Sequence, residues 1–291
     1  MIETDYFNLV KSVLCSDILQ QNRTGIKTKY IPAGILTCDL REGFPMMTAS
    51  KRGYKYVAAE LECFIKGITD KREFQKRNCH IWDEWSSPKL VNYSHNEDDY
   101  IKMKNEPELG PIYGAQWRCF DGQLENNKLV YGTGTDQLLN IIKTAKSDPT
   151  SRRLVCTSWN PNHTEYMALT PCVFSWQIQI DVNSNCIDLT YYQRSCDLML
   201  GVPADLESYS MLLILLANEL GYTPRYVNAL MSNIHIYENH IEGAKILLTR
   251  EIFMQPSIKL KKFNGILNFE YTDFEVVNYY CGEKINFDIA I

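Results

Sequence analysis

One cysteine stands where a nucleophile would be useful. Cys172 follows Pro171 at the start of a β-rich run, 173–181. A thiolate attacks electron-poor carbon atoms readily, and a neighbouring arginine or a helix N-terminus lowers the pKa of the thiol. Any single one of the 10 cysteines is more often a small buried core residue. Cys172 is therefore a candidate nucleophile only if other reactive groups lie beside it.

Two short basic stretches suit an anionic substrate. Arg152 and Arg153 are adjacent, and Arg194 and Ser195 end another predicted strand. Guanidinium donors match the oxygens of a phosphate group in a bidentate geometry. Taken alone, such a pair is more often a solvated surface feature. Both stretches are candidates for holding one phosphate.

Three aromatic stretches suit a flat ring or a sugar. Residues 81–85 (IWDEW) combine two tryptophans with two acids, and residues 110–118 (GPIYGAQWR) pass from turn residues into an aromatic patch. His235 and Tyr237 alternate along a strand and so share one face. Each has a plainer interpretation: the tryptophans pack a loop onto the core, and the His–Tyr pair is hydrogen-bonded within it.

The elements that must position these groups follow from hydrophobic periodicity. Helices are predicted over 5–20, 54–66, 136–146, 206–220 and 238–250. Strands are predicted over 28–40, 153–159, 173–181, 186–193 and 226–236, with a β-rich C-terminal segment. Without regular βαβ alternation, the pattern predicts an α+β fold: one domain, 1–291, with a mixed or antiparallel sheet packed with helices. The polar stretch 86–108 is predicted to be a surface insertion.

Composition excludes several classes of protein. With 45% apolar and 22% charged residues the chain is an ordinary globular protein, and a net charge of −5 argues against broad nucleic-acid binding. The sequence contains no Cys-x-x-Cys pair, the spacing that is typical of a structural zinc site. The apolar run 211–217 is too short to span a membrane, and the N-terminus lacks a signal peptide. We therefore expect no metal, no membrane association, no required nucleic acid, and a reducing, cytoplasmic location.

Taken together, the motifs resemble those of one family, the thymidylate synthases and their pyrimidine hydroxymethylase relatives. The similarity covers nearly the whole chain, and its ordered segments are NRTG (22–25), SKR (50–52), IWDEW (81–85), GPIYGAQWR (110–118), DPTSRR (148–153), WN (159–160), MALTPC (167–172), YQRSCD (192–197), LGVP (200–203) and HIYENH (235–240). The resemblance implies a thymidylate synthase-like fold and an obligate homodimer. It also implies 5,10-methylenetetrahydrofolate as co-substrate.

The resemblance assigns roles to individual residues. Cys172 would add to C6 of the pyrimidine, Glu60 would organise water and proton transfer, and Tyr113 would assist proton removal from C5. The substrate-binding residues would be Arg23, Gln193, Arg194, Ser195, Asp205, His235 and Tyr237, with Arg152 and Arg153 reaching across from a second subunit to the same phosphate. The cofactor-binding residues would be Lys51, Trp82, Asp197, Gly201 and Ile291.

Two departures from the family pattern concern the base. Thymidylate synthases usually have Asn where this chain has Asp205, and His where it has Val173. Asn accepts from N3–H and donates to O4 of uracil, whereas cytosine reverses both demands. A protonated Asp205 donates to N3 and accepts from the amine, and an ionised one pairs with an N3-protonated ring. Alternatively, Asp205 is an N-cap of the predicted helix 206–220, although Asn caps about equally well.

The predicted function is therefore deoxycytidylate (dCMP) hydroxymethylase, with Asp205 among its catalytic residues. Two alternatives stay open: thymidylate synthase, converting dUMP to dTMP with formation of dihydrofolate, and a dCMP C5-methylase. A regulator that binds a nucleotide or RNA on the same scaffold is a third, of a different class, disfavoured by the presence of Cys172, Glu60 and Tyr113. Modified pyrimidines of this kind would suit a phage-encoded enzyme acting in its host's cytoplasm.

Overall fold

A central mixed β-sheet organises the chain in this computed structural model, which describes residues 2–94 and 96–289. The strands are β1 (Leu19–Gln20), β2 (Thr28–Asp39), β3 (Leu124–Glu125), β4 (Lys128–Leu129), β5 (Val155–Thr157), β6 (Val173–Asp181), β7 (Cys186–Gln193), β8 (Cys196–Asp197), β9 (Thr223–Tyr237), β10 (Ser257–Leu260) and β11 (Phe274–Val277). Strand order in the sheet is β1-β2-β9-β7-β6-β5, with β8 beside β9. β9 runs parallel to β7 and β8, and the other neighbours are antiparallel.

Helices cover this sheet. They are α1 (Ile2–Leu14), α2 (Lys55–Lys66), α3 (Lys71–Lys76), α4 (Glu97–Asn105), α5 (Tyr113–Arg118), α6 (Gln137–Ser147), α7 (Gly201–Leu220) and α8 (Ile241–Leu248). Short 3₁₀ turns lie at Thr164–Tyr166, Glu238–His240, Ile266–Asn268 and Tyr271–Asp273. Helix α7 is the central one, with buried residues on all its faces. The α+β class, the mixed sheet and the single domain are confirmed.

Helix α7 begins earlier than the sequence pattern predicts, and this changes the interpretation of Asp205. The helix starts at Gly201 rather than 206 and admits Pro203 in its first turn, where a missing N–H costs no helical bond. Asp197 lies in the turn ahead of the helix, and its Oδ1 accepts from the amides of Met199 and Leu200 at 3.0 and 3.2 Å. Asp205 is therefore inside the helix, and the N-cap interpretation is wrong.

Other boundaries differ for local reasons. The N-terminal helix ends at Leu14 rather than 20, because Ser16 leaves the helical path: its Oγ donates to the Tyr30 carbonyl at 2.8 Å and accepts from the Ile18 amide at 3.2 Å. The predicted strand 153–159 is only Val155–Thr157. The polar stretch 86–108 contains helix α4.

Candidate active site

A cavity of about 800 Å³ opens at one end of the sheet. Its walls come from the 20–24 segment, helix α2, the 80–85 loop, the start of α5, the ends of β7 and β9, and the first turns of α7. Most of the predicted site residues line it: Arg23, Glu60, Trp82, Tyr113, Cys172, Arg194, Ser195, Asp197, Gly201, Asp205, His235 and Tyr237. The fold therefore brings together residues more than 200 positions apart in sequence.

The predicted nucleophile, Cys172, lies directly before strand β6, partly open to the cavity. Its amide donates to the Tyr113 hydroxyl at 2.9 Å, and its carbonyl accepts from the Arg194 amide at 2.9 Å. Burial raises the pKa of the Cys172 thiol, while the positive charge of Arg194 opposes that rise. Arg194 thus sits where it can stabilise the thiolate that nucleophilic addition needs.

Arg194 is held in place by the segment leading to the nucleophile. Its guanidinium donates to the carbonyls of Pro171 and Thr170 at 3.0 and 2.9 Å, and to the Thr170 hydroxyl at 2.7 Å. It also lies 5.1 Å from the ring centroid of Trp159. The sequence motifs include Thr170 and Trp159 but assign them no role; the structure shows that both contact the Arg194 side chain.

The other predicted phosphate arginines separate into two groups. Arg23 lines the cavity together with Arg194 and Ser195. Arg152 and Arg153 are exposed and do not line it. Within one chain the cavity therefore gathers only part of the predicted basic cluster.

The carboxyl of Asp205 faces the cavity from the first turns of α7. Gln193 Nε2 donates to its Oδ2 at 2.8 Å, while Gln193 Oε1 is buried with no hydrogen-bond partner among the described residues. Burial, followed by the negative charge of Glu60, raises the pKa of Asp205 well above its usual range. Asp205 in turn raises the pKa of the Cys172 thiol, so the two groups face the same small volume. This arrangement favours the protonated form of the Asp205 carboxyl.

A second carboxyl, that of Glu60, projects into the cavity from α2. Its Oε1 accepts from the indole nitrogen of Trp82 at 2.8 Å. Burial raises the pKa of Glu60 to about 7, and the Trp82 bond opposes the rise. Two carboxyls in one cavity with unequal proton affinity are an arrangement suited to acid–base work near neutral pH.

Tyr113 is the first residue of α5 and is stacked on Phe64, with ring centroids 4.9 Å apart. Burial, followed by the charges of Cys172 and Asp205, raises the pKa of its hydroxyl well above the usual value. The hydroxyl therefore stays protonated and accepts from the Cys172 amide. It lies beside the predicted nucleophile, as the sequence predicts for a residue that helps move a proton.

His235 and Tyr237 share a face of β9, and their rings meet edge to face at 5.3 Å. The Nδ1 atom of His235 lies 2.9 and 3.0 Å from the carbonyl and the side-chain oxygen of Asn233. Both partners are acceptors, so Nδ1 carries a proton, and in the neutral ring Nε2 is the nitrogen left as an acceptor. Asn233 has a left-handed backbone (φ 49°), which Asn tolerates better than most residues. The sequence motifs do not identify Asn233, whose contact orients the His235 ring.

Only some of the predicted cofactor-binding residues line the cavity. Trp82, Asp197 and Gly201 line the cavity, and so does Ile289. Lys51 is exposed and outside the lining, and Ile291 lies outside the described residues. Within residues 2–94 and 96–289, no cluster of three or more His, Cys, Asp or Glu could hold a metal ion. No helix there is long and apolar enough to cross a bilayer.

Comparison with known proteins agrees with this geometry. The family model described as thymidylate synthase matches residues 4–291. Thymidylate synthase from Mycoplasma genitalium is 36% identical over 94% of this chain and 95% of its own length. That from Malacoplasma penetrans is 34% identical over 99% of both chains. The bifunctional dihydrofolate reductase-thymidylate synthase of Leishmania major is 31% identical over 99% of this chain, which corresponds to 55% of that longer protein.

These relatives bear on the sequence predictions at two levels. The family-level resemblance is confirmed, whereas the hydroxymethylase branch is not shown. The three relatives carry the name thymidylate synthase, which agrees better with the dUMP alternative than with the dCMP hydroxymethylase prediction. The chain belongs to the thymidylate synthase family, whose members are methylenetetrahydrofolate-dependent one-carbon transferases.

Proposed function

We propose that this enzyme transfers a one-carbon unit to C5 of dCMP. The observation that carries the proposal is the carboxyl of Asp205 in the cavity of Cys172, with a pKa raised by burial and Gln193 fixing one of its oxygens. A protonated carboxyl is the group that cytosine requires and uracil does not.

The chemistry of the ring explains this preference. When the Cys172 thiolate adds to C6, electron density moves toward the opposite side of the ring. In cytosine it accumulates at N3, which must take a proton. Asp205 holds that proton and can transfer it to N3, while its other oxygen accepts from the 4-amino group. In uracil the density accumulates on O4, where an amide N–H donor is the better partner.

The remaining residues fit the steps that follow. Arg23, Arg194 and Ser195 bind the 5′-phosphate, and the Nε2 acceptor of His235 with Tyr237 receives the sugar hydroxyl. C5 of the thiol adduct attacks the methylene carbon of methylenetetrahydrofolate, which is bound against Trp82. Tyr113 and Glu60 then assist removal of the C5 proton, and the bond to the folate nitrogen breaks to leave an exocyclic methylene on the pyrimidine.

For the product we propose 5-hydroxymethyl-dCMP with release of tetrahydrofolate. Water must attack the exocyclic methylene, after which the Cys172 thiolate leaves C6 and the C5–C6 double bond is restored. A base with a pKa near the working pH is the most effective group to take the proton of that water. Glu60, with a pKa of about 7, is that group. Hydride transfer from the folate would instead give the methyl product and dihydrofolate.

A second candidate function is thymidylate synthesis from dUMP. It is favoured by the names of the relatives, which match this chain over nearly its whole length. The two candidates share Cys172, Glu60, Tyr113 and the phosphate site. They differ at Asp205.

A paired assay separates them. The kcat/KM values are measured with dCMP and with dUMP, and the products are identified by mass spectrometry while absorbance reports dihydrofolate. We expect conversion of dCMP with a product heavier by CH₂O and no dihydrofolate. Efficient dUMP conversion with little dCMP activity would overturn the proposal, and a product of dCMP heavier by CH₂ would make the enzyme a dCMP methylase.

We further propose that the enzyme is a homodimer in which Arg152 and Arg153 complete the partner's phosphate site. The two arginines precede β5, are exposed and do not line their own cavity, and the sheet exposes apolar residues on two of its strands: Val155 on β5 is 43% exposed and Ile35 on β2 is 64% exposed. Mixing inactive Cys172→Ser subunits with Arg152→Ala/Arg153→Ala subunits should restore activity through one intact shared site. No recovery after verified subunit exchange would contradict the proposal.

All ten cysteines are free thiols, which supports the proposed reducing, cytoplasmic location.

A further inference from the structure

The segment 86–108 is fastened to the wall of the cavity. Lys71, 2% exposed, donates from Nζ to the carbonyls of Asp83, Trp85 and Met103 at 3.0, 2.9 and 2.6 Å. The first two carbonyls belong to the tryptophan loop and the third belongs to α4. One buried ammonium therefore joins the segment 86–108 to the loop that lines the cavity.

A tyrosine of this segment reaches the cavity mouth. Tyr93 stacks on Trp85 with ring centroids 6.0 Å apart and planes inclined by 12°. Trp85 lines the cavity. The hydroxyl of Tyr93 accepts from Nη1 of Arg23 at 2.9 Å. The guanidinium carbon of Arg23 lies 5.2 Å from the ring centroids of both Trp85 and Tyr93.

Arg23 needs such support because its own turn fixes only the backbone. Asn22 Oδ1 accepts from the amide and the hydroxyl of Thr24 at 2.9 and 2.6 Å, and Asn22 Nδ2 donates to the Ile26 carbonyl at 2.7 Å. These bonds define the path of the main chain. The long Arg23 side chain keeps its rotamer freedom unless the two rings and the Tyr93 hydroxyl restrict it.

We infer that Tyr93 is a positioning residue that holds the Arg23 guanidinium ready for the 5′-phosphate. The inference rests on the proposed function, since it assumes a nucleoside monophosphate in the cavity. A guanidinium ordered before binding loses less entropy when the phosphate arrives, so the contact strengthens binding of the nucleotide. Tyr93 acts through Arg23 and takes no part in the chemistry at C5 or C6.

The test uses the full-length enzyme and isothermal titration with dCMP, dUMP and inorganic phosphate. Tyr93→Phe keeps the ring and removes the hydroxyl, and we expect the Kd for nucleotide to rise by roughly 3- to 10-fold, the effect of one hydrogen bond to a charged group partly replaced by water. Tyr93→Ala removes the ring as well, and we expect a rise of roughly 10- to 50-fold. The KM for methylenetetrahydrofolate and kcat at saturating nucleotide should stay unchanged.

Two comparisons make the test specific. In an Arg23→Ala background, Tyr93→Phe should have no further effect, because the group it positions is gone. Tyr100→Phe is the matched control, since Tyr100 lies on α4 and contacts Lys104 rather than Arg23. We expect nucleotide binding by Tyr100→Phe to equal that of the unaltered enzyme.

Unchanged or tighter nucleotide binding by Tyr93→Phe would overturn the inference, as would an effect that persists without Arg23. Failure of the proposed function is distinguishable: the unaltered enzyme would then convert dUMP rather than dCMP, and the Kd for dUMP would report on Tyr93, or it would bind neither nucleotide. In that case the Kd values for inorganic phosphate across the same variants still decide whether Tyr93 positions Arg23.

Discussion

Replacing Asp205 with Asn tests how the enzyme selects its base. The change keeps the size of the side chain and its place in α7, and it replaces a transferable proton by an amide N–H that can only donate a hydrogen bond. Gln193 Nε2 can still donate at 2.8 Å to the oxygen that remains. The effect should therefore fall on catalysis with cytosine rather than on folding.

The expected size follows from the two bases. With dCMP, loss of the general acid at N3 should lower kcat/KM by roughly 10²- to 10⁴-fold. With dUMP, the amide introduced at position 205 would place an N–H donor opposite O4, where the unaltered enzyme has a carboxyl oxygen. Removing one unpaired buried contact is worth about 1–3 kcal/mol, so kcat/KM for dUMP should rise by roughly 5- to 150-fold. The ratio of kcat/KM for dCMP to that for dUMP should therefore fall by at least about 500-fold.

Steady-state kinetics with both nucleotides measures this ratio. Asp197→Asn is the matched control, because it makes the same chemical change in the same cavity at a residue that accepts from the amides just ahead of α7. It should alter the rates for both nucleotides together and leave their ratio unchanged. A change in ratio of less than tenfold for Asp205→Asn would refute the role of Asp205 as the proton donor to cytosine.

Three further variants address other parts of the mechanism. Cys172→Ser should lose measurable turnover while keeping nucleotide binding by titration, because a hydroxyl cannot replace the thiolate nucleophile at neutral pH. The pH profile of kcat should rise through about pH 7 as Glu60 ionises, and in Glu60→Gln this rise should be absent from the residual activity. Lys71→Ala should lower the free energy of unfolding, measured in urea, by at least about 3 kcal/mol, because three buried carbonyls lose their donor. A loss below about 1 kcal/mol would show that water replaces the ammonium.

The residues of the site could be predicted from sequence because the motifs occur jointly and in order. Their contacts could not, since they join distant segments: the Trp82–Glu60 bond links the tryptophan loop to α2, and Asn233 orients His235 from a left-handed position within β9. The start of α7 was misplaced because Pro203 and Gly201 are usually helix breakers. Asp197 satisfies the amides ahead of that helix and so permits it to begin earlier.

The segment 86–108 shows a second limit of the sequence. Its polar composition predicts a surface insertion, and composition carries no information about which neighbours its few aromatic residues meet. Tyr93 contacts Arg23, and Lys71, distant in sequence from both, joins the segment to the tryptophan loop beside that contact.

The most direct test of the central claim is to trap the covalent adduct with each base. A fluorine at C5 cannot be removed as a proton, so the complex of enzyme, nucleotide and methylenetetrahydrofolate should stall with the bond to C6 intact. Intact-protein and peptide mass spectrometry after incubation with 5-fluoro-dCMP or 5-fluoro-dUMP would show whether, and with which base, Cys172 is modified. The account predicts an adduct on Cys172 with 5-fluoro-dCMP, and an adduct formed with 5-fluoro-dUMP alone would contradict it.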